Sequence, residues 1–230
     1  WIDLILSPDS DMVAMSAPAL LRNLDMDTLC GEMIRRRDLG SGYHHNFDLS
    51  GFTDTHVALM CVAAGCDYCD SLPQVGIVHA HKAVRQAIDE KMDEKVNENN
   101  PPVTNSLLRR FFEALYQSSS FEEEGVDKGN YEQSFIDAMC MYLHPVVFDL
   151  TREECIFARD PVTHPDSILK AGSDYYCDLC NDPEKMQQIV GKILSQETAK
   201  QIASGWYDPK KNVLYKWGDS DKPPESGEDI

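Results

Sequence analysis

The sequence predicts an α/β front end followed by a mostly helical body, and three observations predict it. A short, largely apolar run from Ile2 to Leu6, stopped by Ser7-Pro8, suits a buried central strand. Behind it, apolar residues recur at helical spacing in segment after segment, most clearly Leu107, Leu108, Phe111, Phe112 and Leu115. Between those segments stand turn-forming clusters, as at Asp67–Gly76 and Pro101-Pro102.

Element by element, Ala19–Leu24 fits a second short strand, with helix as the alternative. From Asp27 to Asp38, Leu29, Met33 and Ile34 fall among charges at helical spacing, so a helix is expected there. Gly40–Asn46 reads as a loop. Thr53 or Asp54 can cap a helix running through His56–Ala64, which Gly65 ends. After the turn region, a helix resumes near Val78 and continues to about Asn97. Thr104 or Asn105 caps the Leu107–Leu115 helix, and Ser118–Lys128 is an acidic loop. Tyr131–Leu143 is helical, Val146–Phe148 resembles a strand, and Met186–Ser204 reads as one further helix. The last twelve residues, from Asp219, hold five acids and two prolines, the composition of a disordered tail.

Composition bounds the function. The chain has 230 residues, of which 42% are hydrophobic, which excludes wholesale disorder. No apolar run approaches the ~18 residues that span a bilayer, and the first residues lack the basic start of a secretory signal. The eight cysteines therefore read as reduced thiols in an intracellular protein. The sequence starts at Trp1 in what looks like mid-strand, and so short an α/β piece cannot complete a parallel sheet, so a piece of a longer protein is expected. With 21 basic against 39 acidic residues the formal charge is −18, which argues against a polyanionic partner.

Three acids stand out. Asp9 and Asp11 lie two apart just past a strand end, and Asp67 follows the glycine that ends a buried helix. Hard cations such as Mg²⁺ take carboxylate oxygen, and two ions about 4 Å apart can clamp both oxygens of a phosphodiester under attack. The same Asp-Ser-Asp after a proline also serves as plain turn and capping chemistry, and the spacing alone does not choose. The run Gly65–Ile77, flanked by helices, forms a compact hairpin whose carbonyls and N–H groups can present a phosphate site; an ordinary αα-turn is the alternative.

The stretch FTDTHVALMCVAAGCDYCDSLPQVGIVHAHKAV, Phe52 to Val84, closely resembles the structure-specific 5′ nuclease family, the flap endonucleases and exonuclease 1-like enzymes. The shared pattern is a helix ending in GCDY, a loop ending in GIG, and a helix bearing basic residues. SPDSDMVAM resembles the family's EDSD strand end, and YEQSFIDAMCMYLHPVVFDL its helix running into an LVFD strand. ILKAG and AKQIASG resemble two short motifs beyond, so the likeness covers most of residues 1–217, with the exonuclease 1-like branch closest.

The resemblance implies part of a PIN-like 5′ nuclease sheet over residues 1–51 and a helix–two-turn–helix region over 52–100. A helical extension over 101–217 and an acidic tail over 218–230 would follow. It implies that Asp9, Asp11 and Asp67 are metal-binding and catalytic, with two Mg²⁺ in a complete site. It implies backbone carbonyls at Ser71 and Val75 that hold a K⁺, with Gly76, His79 and Lys82 facing the phosphates of a DNA with a 5′ end, flap or nick. A nuclear DNA-repair role follows from the same likeness, as does the alternative of an inactive DNA-junction or protein-interaction module of the same fold.

Departures matter. Pro8 stands where the family has Glu, Gln74 replaces the first glycine of GIG, and His79 replaces Lys or Arg. The family's N-terminal block with its further acids and basic arch has no counterpart here, so this piece alone is expected to be inactive. Arg35-Arg36-Arg37, the one basic cluster, reads as a solvated helix face. The pairs Cys66/Cys69 and Cys177/Cys180 have zinc-like spacing but lie more than a hundred residues apart, and His44-His45 reads as a solvated loop pair. Met139–Tyr142 reads as helix packing.

Overall fold

Three short strands at the front form one mixed sheet, and everything after residue 53 is dominated by helices. The computed structural model describes residues 3–41, 47–89, 106–119 and 125–214. Trp1, the His44-His45 pair, the proposed caps Thr104 and Asn105, the helix beyond residue 89 and the acidic tail lie outside those described residues.

Strand β1 (Ile5–Leu6) runs parallel to β2 (Ala19–Asp25), and the four-residue helix α1 (Asp11–Ala14) connects them. Strand β3 (Cys30–Arg35) closes the sheet antiparallel to β2. One row across the sheet, Ile5, Leu20 and Ile34, contains the buried Leu20; the next, Leu6, Leu21 and Met33, faces out. The expected buried central strand is thus corrected. β1 is short, sits at the edge of the described sheet, and leaves Leu4 and Leu6 exposed.

The helix expected over 27–38 is a β-hairpin instead. The Asp25 carboxylate accepts the N–H groups of Asp27 and Thr28, at 2.8 and 3.2 Å, in an Asx turn. Leu29 then takes a left-handed φ of +54°. At Gly31 a Cβ would fall 2.9 Å from Leu21 Cδ1 and 3.0 Å from the Arg22 carbonyl oxygen, so the irregular stretch of the β2–β3 pairing leaves little room for a side chain there. Turn chemistry outweighs the helical spacing, and Leu29 and Met33 end up exposed. The three arginines fall at the end of β3 and in a single 3₁₀ turn, Arg36–Asp38, not on a helix face.

Helix α2 (Asp54–Ala63) begins at the Thr53 cap, whose hydroxyl accepts the His56 N–H while His56 Nδ1 accepts the Thr53 N–H. Its residues are buried on nearly all sides, as a central helix requires. Helix α3 (Ile77–Asp89) buries Ala80, His81, Ala83, Val84 and Ala87, one face at helical spacing. The loop before α2 is docked on α3. His81 Nε2 lies 2.7 Å from the Asp48 carbonyl and its ring stacks on Phe47 and Phe52, while Arg85 donates to the carbonyls of Asp48 and Ser50.

Helices α4 (Leu107–Gln117, capped by Ser106) and α5 (Lys128–Leu143, capped by Asp127) share an aromatic cluster. Phe111, Phe112 and Phe135 meet at centroid distances of 5.1–5.6 Å, with Tyr131 and Tyr116 beside them. Burying a side chain such as the fully enclosed Phe135 contributes about 2–3 kcal/mol.

The hairpin β4 (Val146–Asp149) and β5 (Glu154–Phe157) follows, then α6 (Ser167–Gly172), α7 (Asp174–Asn181), α8 (Pro183–Val190) and α9 (Gln196–Ala203). A small pair, β6 (Tyr207–Asp208) and β7 (Val213–Leu214), ends the described chain. The single helix expected over 186–204 is therefore two. Gly191, at φ +99°, stops α8, and Ser195 restarts the chain by capping Thr198 of α9.

A buried polar knot ties these late elements to α2. Asp166 caps α6 through Ile168 and Leu169, accepts the Thr55 hydroxyl at 2.7 Å, and pairs with Arg159 at 3.4 Å. The Tyr176 hydroxyl accepts the Asp166 N–H and lies 2.7 Å from His144 Nε2, whose Nδ1 lies 2.7 Å from the Arg159 carbonyl. His144 is fully buried, and that burial lowers its pKa.

Candidate functional site

The loop past β1 carries two of the expected acids. The Asp9 carboxylate accepts the Asp11 N–H at 2.9 Å, which starts α1 and places Asp11 in its first turn. Asp9 is exposed and Asp11 half-buried. Thus the turn half of the reading holds for Asp9, while the N-cap position of α1 is Ser10, which makes no side-chain capping bond; the second Asp9 oxygen makes no other hydrogen bond among the described residues.

The third acid sits at the tip of a tight reversal after α2. Gly65, at φ +98°, turns the chain, and Cys66 and Cys69 exchange backbone hydrogen bonds at 2.9 and 3.3 Å. Asp67 and Tyr68 form the exposed tip between them. The Cys66 pair partner is thus the backbone of Cys69, and the buried Cys69 thiol is pushed up to about 12, as the Cys61 thiol is to about 11, chiefly by burial. Both stay protonated thiols near neutral pH.

Two tyrosines stand where these segments meet. The Tyr142 hydroxyl, from the end of α5, donates to the Asp11 carboxylate at 2.9 Å. Its ring packs edge-on against Tyr68 at 5.7 Å. Burial raises the Tyr68 pKa, and after it the nearby negative charges of Asp11, Asp67, Cys66 and Asp9 act in the same direction. Tyr142 is raised by burial and by its bond to Asp11, so it remains a donor. The sequence alone assigns Tyr142 to helix packing. Its ring is indeed buried, and the available signal for more is that a buried phenol needs a partner.

The carboxylates of the exposed Asp9 and Asp67 and of the half-buried Asp11 suit a hard divalent cation in kind. They do not close around one: among the described residues no three His, Cys, Asp or Glu side chains gather closely enough to hold a metal ion.

The loop from Ser71 to Gly76 is pinned by Leu72 and Val75, both buried, and by the Val75 N–H donating to the Leu72 carbonyl at 2.9 Å. Gln74, between them, takes φ +64°, the left-handed region that favours glycine. Among the described residues neither the Ser71 nor the Val75 carbonyl accepts a hydrogen bond, so both are free oxygen donors of the kind a K⁺ uses. The Gly76 carbonyl accepts from His79 and Ala80 as α3 begins, and a Cβ built on Gly76 would meet nothing within 4 Å. Open space above a helix start suits an anion. His79 and Lys82 follow at i, i+3 on the exposed side of α3.

No protein-family model matches the chain. The chain is 23% identical over 215 residues to exonuclease 1 of Arabidopsis thaliana, which covers 90% of this chain and 22% of that protein. Against exonuclease 1 of Danio rerio it is 24% identical over 194 residues, covering 82% and 20%. Against flap endonuclease 1 of Phaeodactylum tricornutum it is 26% identical over 129 residues, covering 55% and 29%. The chain spans about a fifth of the length of the exonuclease 1 proteins it matches. With its GCDY turn, its helix-flanked loop and this extended similarity together, the chain is similar to exonuclease 1 proteins over most of its length and to a flap endonuclease over about half of it.

Proposed function

We propose that the protein is a Mg²⁺-dependent, structure-specific 5′ nuclease that hydrolyses DNA phosphodiesters near a 5′ end, flap or nick in DNA repair. The observation that carries this reading is the Tyr142 hydroxyl held on the Asp11 carboxylate, with the Tyr142 ring packed on Tyr68 next to Asp67, before a loop whose Ser71 and Val75 carbonyls accept no hydrogen bond among the described residues. Asp9, Asp11 and Asp67 would hold Mg²⁺, which when bound supplies an activated water and charge neutralisation at phosphate. Tyr142 orients the Asp11 carboxylate. Ser71 and Val75 would hold a K⁺ through their carbonyls, and Gly76, His79 and Lys82 would face the duplex backbone. Three carboxylates are too few for two metal ions, so these residues alone would not cleave, and the complete site takes acids from elsewhere in the full-length protein.

The test uses that full-length protein with Mg²⁺ and a 5′-labelled flap or recessed duplex, beside an Asp67→Ala variant. The proposal expects cleavage in the wild type and a loss of at least ~100-fold in the variant, the scale on which a group stabilising transition-state charge acts. Binding to duplex without cleavage would sink the catalytic reading and leave an inactive DNA-junction module.

A further inference from the structure

Arg35, Arg36 and Arg37 are the only run of three basic residues in a chain of formal charge −18. On an α-helix, consecutive side chains leave about 100° apart and could not serve one ligand. Here β3 ends at Arg35 and the chain passes directly into the 3₁₀ turn Arg36–Asp38. All three arginines line one open depression of 550 Å³, together with Asp3, Ser16, Pro18 and Ala19. The backbone there is fixed: Ala19 pairs with Arg35 in the sheet, and the Arg36 N–H donates to the Pro18 carbonyl at 3.0 Å.

The three do different work. Arg36 is mostly buried, ion-paired with Asp54 at the start of α2, and retains one buried guanidinium nitrogen without a hydrogen-bond partner. It belongs to the wall. Arg35 and Arg37 are 49% and 79% exposed and share a single carboxylate, Asp38, at 3.7 and 3.8 Å. Exposed pairs at such distances hold their partners weakly. Two guanidinium forks thus remain available at the mouth of a depression large enough for a phosphodiester.

We propose that Arg35 and Arg37, seated on the fixed Arg36, bind phosphates of a nucleic-acid backbone. This rests on the reading of the protein as a DNA nuclease and adds a contact to it. A duplex approaching so acidic a chain needs local points of positive charge. This one borders Ser16, five residues beyond the candidate metal ligand Asp11.

The experiment measures binding of a labelled flap duplex to the full-length protein across a KCl series without Mg²⁺, for wild type and for the double variant R35A/R37A. Each phosphate contact adds about 0.9 to the slope of log affinity against log salt, so the variant's slope should be shallower by roughly 1–2. R35K/R37K should keep the slope, since it keeps the charge, and its unchanged melting temperature guards against misfolding. An unaltered slope and affinity in R35A/R37A would overturn the proposal, as would inorganic phosphate raising the melting temperature as much as duplex does. Cleavage by the wild type with an unaltered slope removes the arginine site alone. A shallower slope in R35A/R37A, beside a wild type that never cleaves, removes the nuclease reading alone.

Discussion

The hydroxyl of Tyr142 donates to the carboxylate of Asp11 at 2.9 Å, joining residues 131 apart in the chain. One bond thereby fixes a loop that follows a two-residue strand to the end of the sixteen-residue helix α5. The carboxylate's orientation depends on a part of the molecule that contributes no acid of its own to the candidate site.

Tyr142→Phe removes that hydrogen bond and keeps the ring. Groups that orient a metal ligand commonly change metal affinity by about 10–100-fold when lost. The Mg²⁺ concentration that gives half-maximal cleavage by the full-length protein should rise by about 10-fold, with the rate at saturating Mg²⁺ much less affected. An unchanged Mg²⁺ requirement would remove Tyr142 from the site.

Gln74 holds a left-handed conformation that costs an L-residue about 1–2 kcal/mol. Gln74→Gly relieves that strain but loosens the unfolded chain by roughly 0.5–1 kcal/mol, so stability should be equal or slightly higher. Gln74→Val, β-branched at the same φ, should lose about 1–2 kcal/mol. Urea unfolding of the three proteins orders them; a valine variant as stable as the glycine variant would contradict the observed backbone.

Gly172 marks the closest approach of α6 to α4. A Cβ there would fall 2.7 Å from Leu108 Cβ and 2.8 Å from Ser106 Oγ. Gly172→Ala should therefore cost about 1–3 kcal/mol by overpacking, although alanine is the better helix former. A midpoint in urea at or above wild type would show that the two helices separate freely.

Two buried histidines make the fold acid-sensitive. Burial lowers the pKa of both His144 and His56, so each binds its proton less readily folded than unfolded. Their contribution is full above about pH 6.5 and is lost as pH falls below it toward the folded values. His56→Gln keeps the side-chain acceptor that a capping box needs and cannot titrate. The drop in urea midpoint between pH 7.5 and 5 should be smaller in this variant than in wild type, and an equal drop would assign the acid sensitivity elsewhere.

Much of this was legible in the residues because local chemistry and tertiary context agreed. Thr53, Gly65 and the Leu107–Leu115 stripe announce their helix boundaries and face, and the structure uses them so. Leu29, Met33 and Ile34 misled because their spacing mimics a helix, while Asp25 and Gly31 quietly specify a hairpin. The break at Gly191 was equally local, but it lay inside a stretch otherwise rich in helix formers. At the candidate site, the acids could be named from their motifs. The Tyr142–Asp11 bond and the shared depression of the three arginines could not, because both depend on contacts between segments distant in sequence or on a turn type.

Asp67 rides on a reversal closed entirely by main-chain atoms of Cys66 and Cys69, with its own side chain at the exposed tip. Nothing in that scaffold depends on which side chain occupies the position. Loss of the carboxylate therefore leaves the main-chain reversal as it was, and the chemistry proposed for Asp67 can be shed by a lineage in a single replacement while the shape is inherited intact. In this part of the molecule, reactivity and form are free to evolve at different rates.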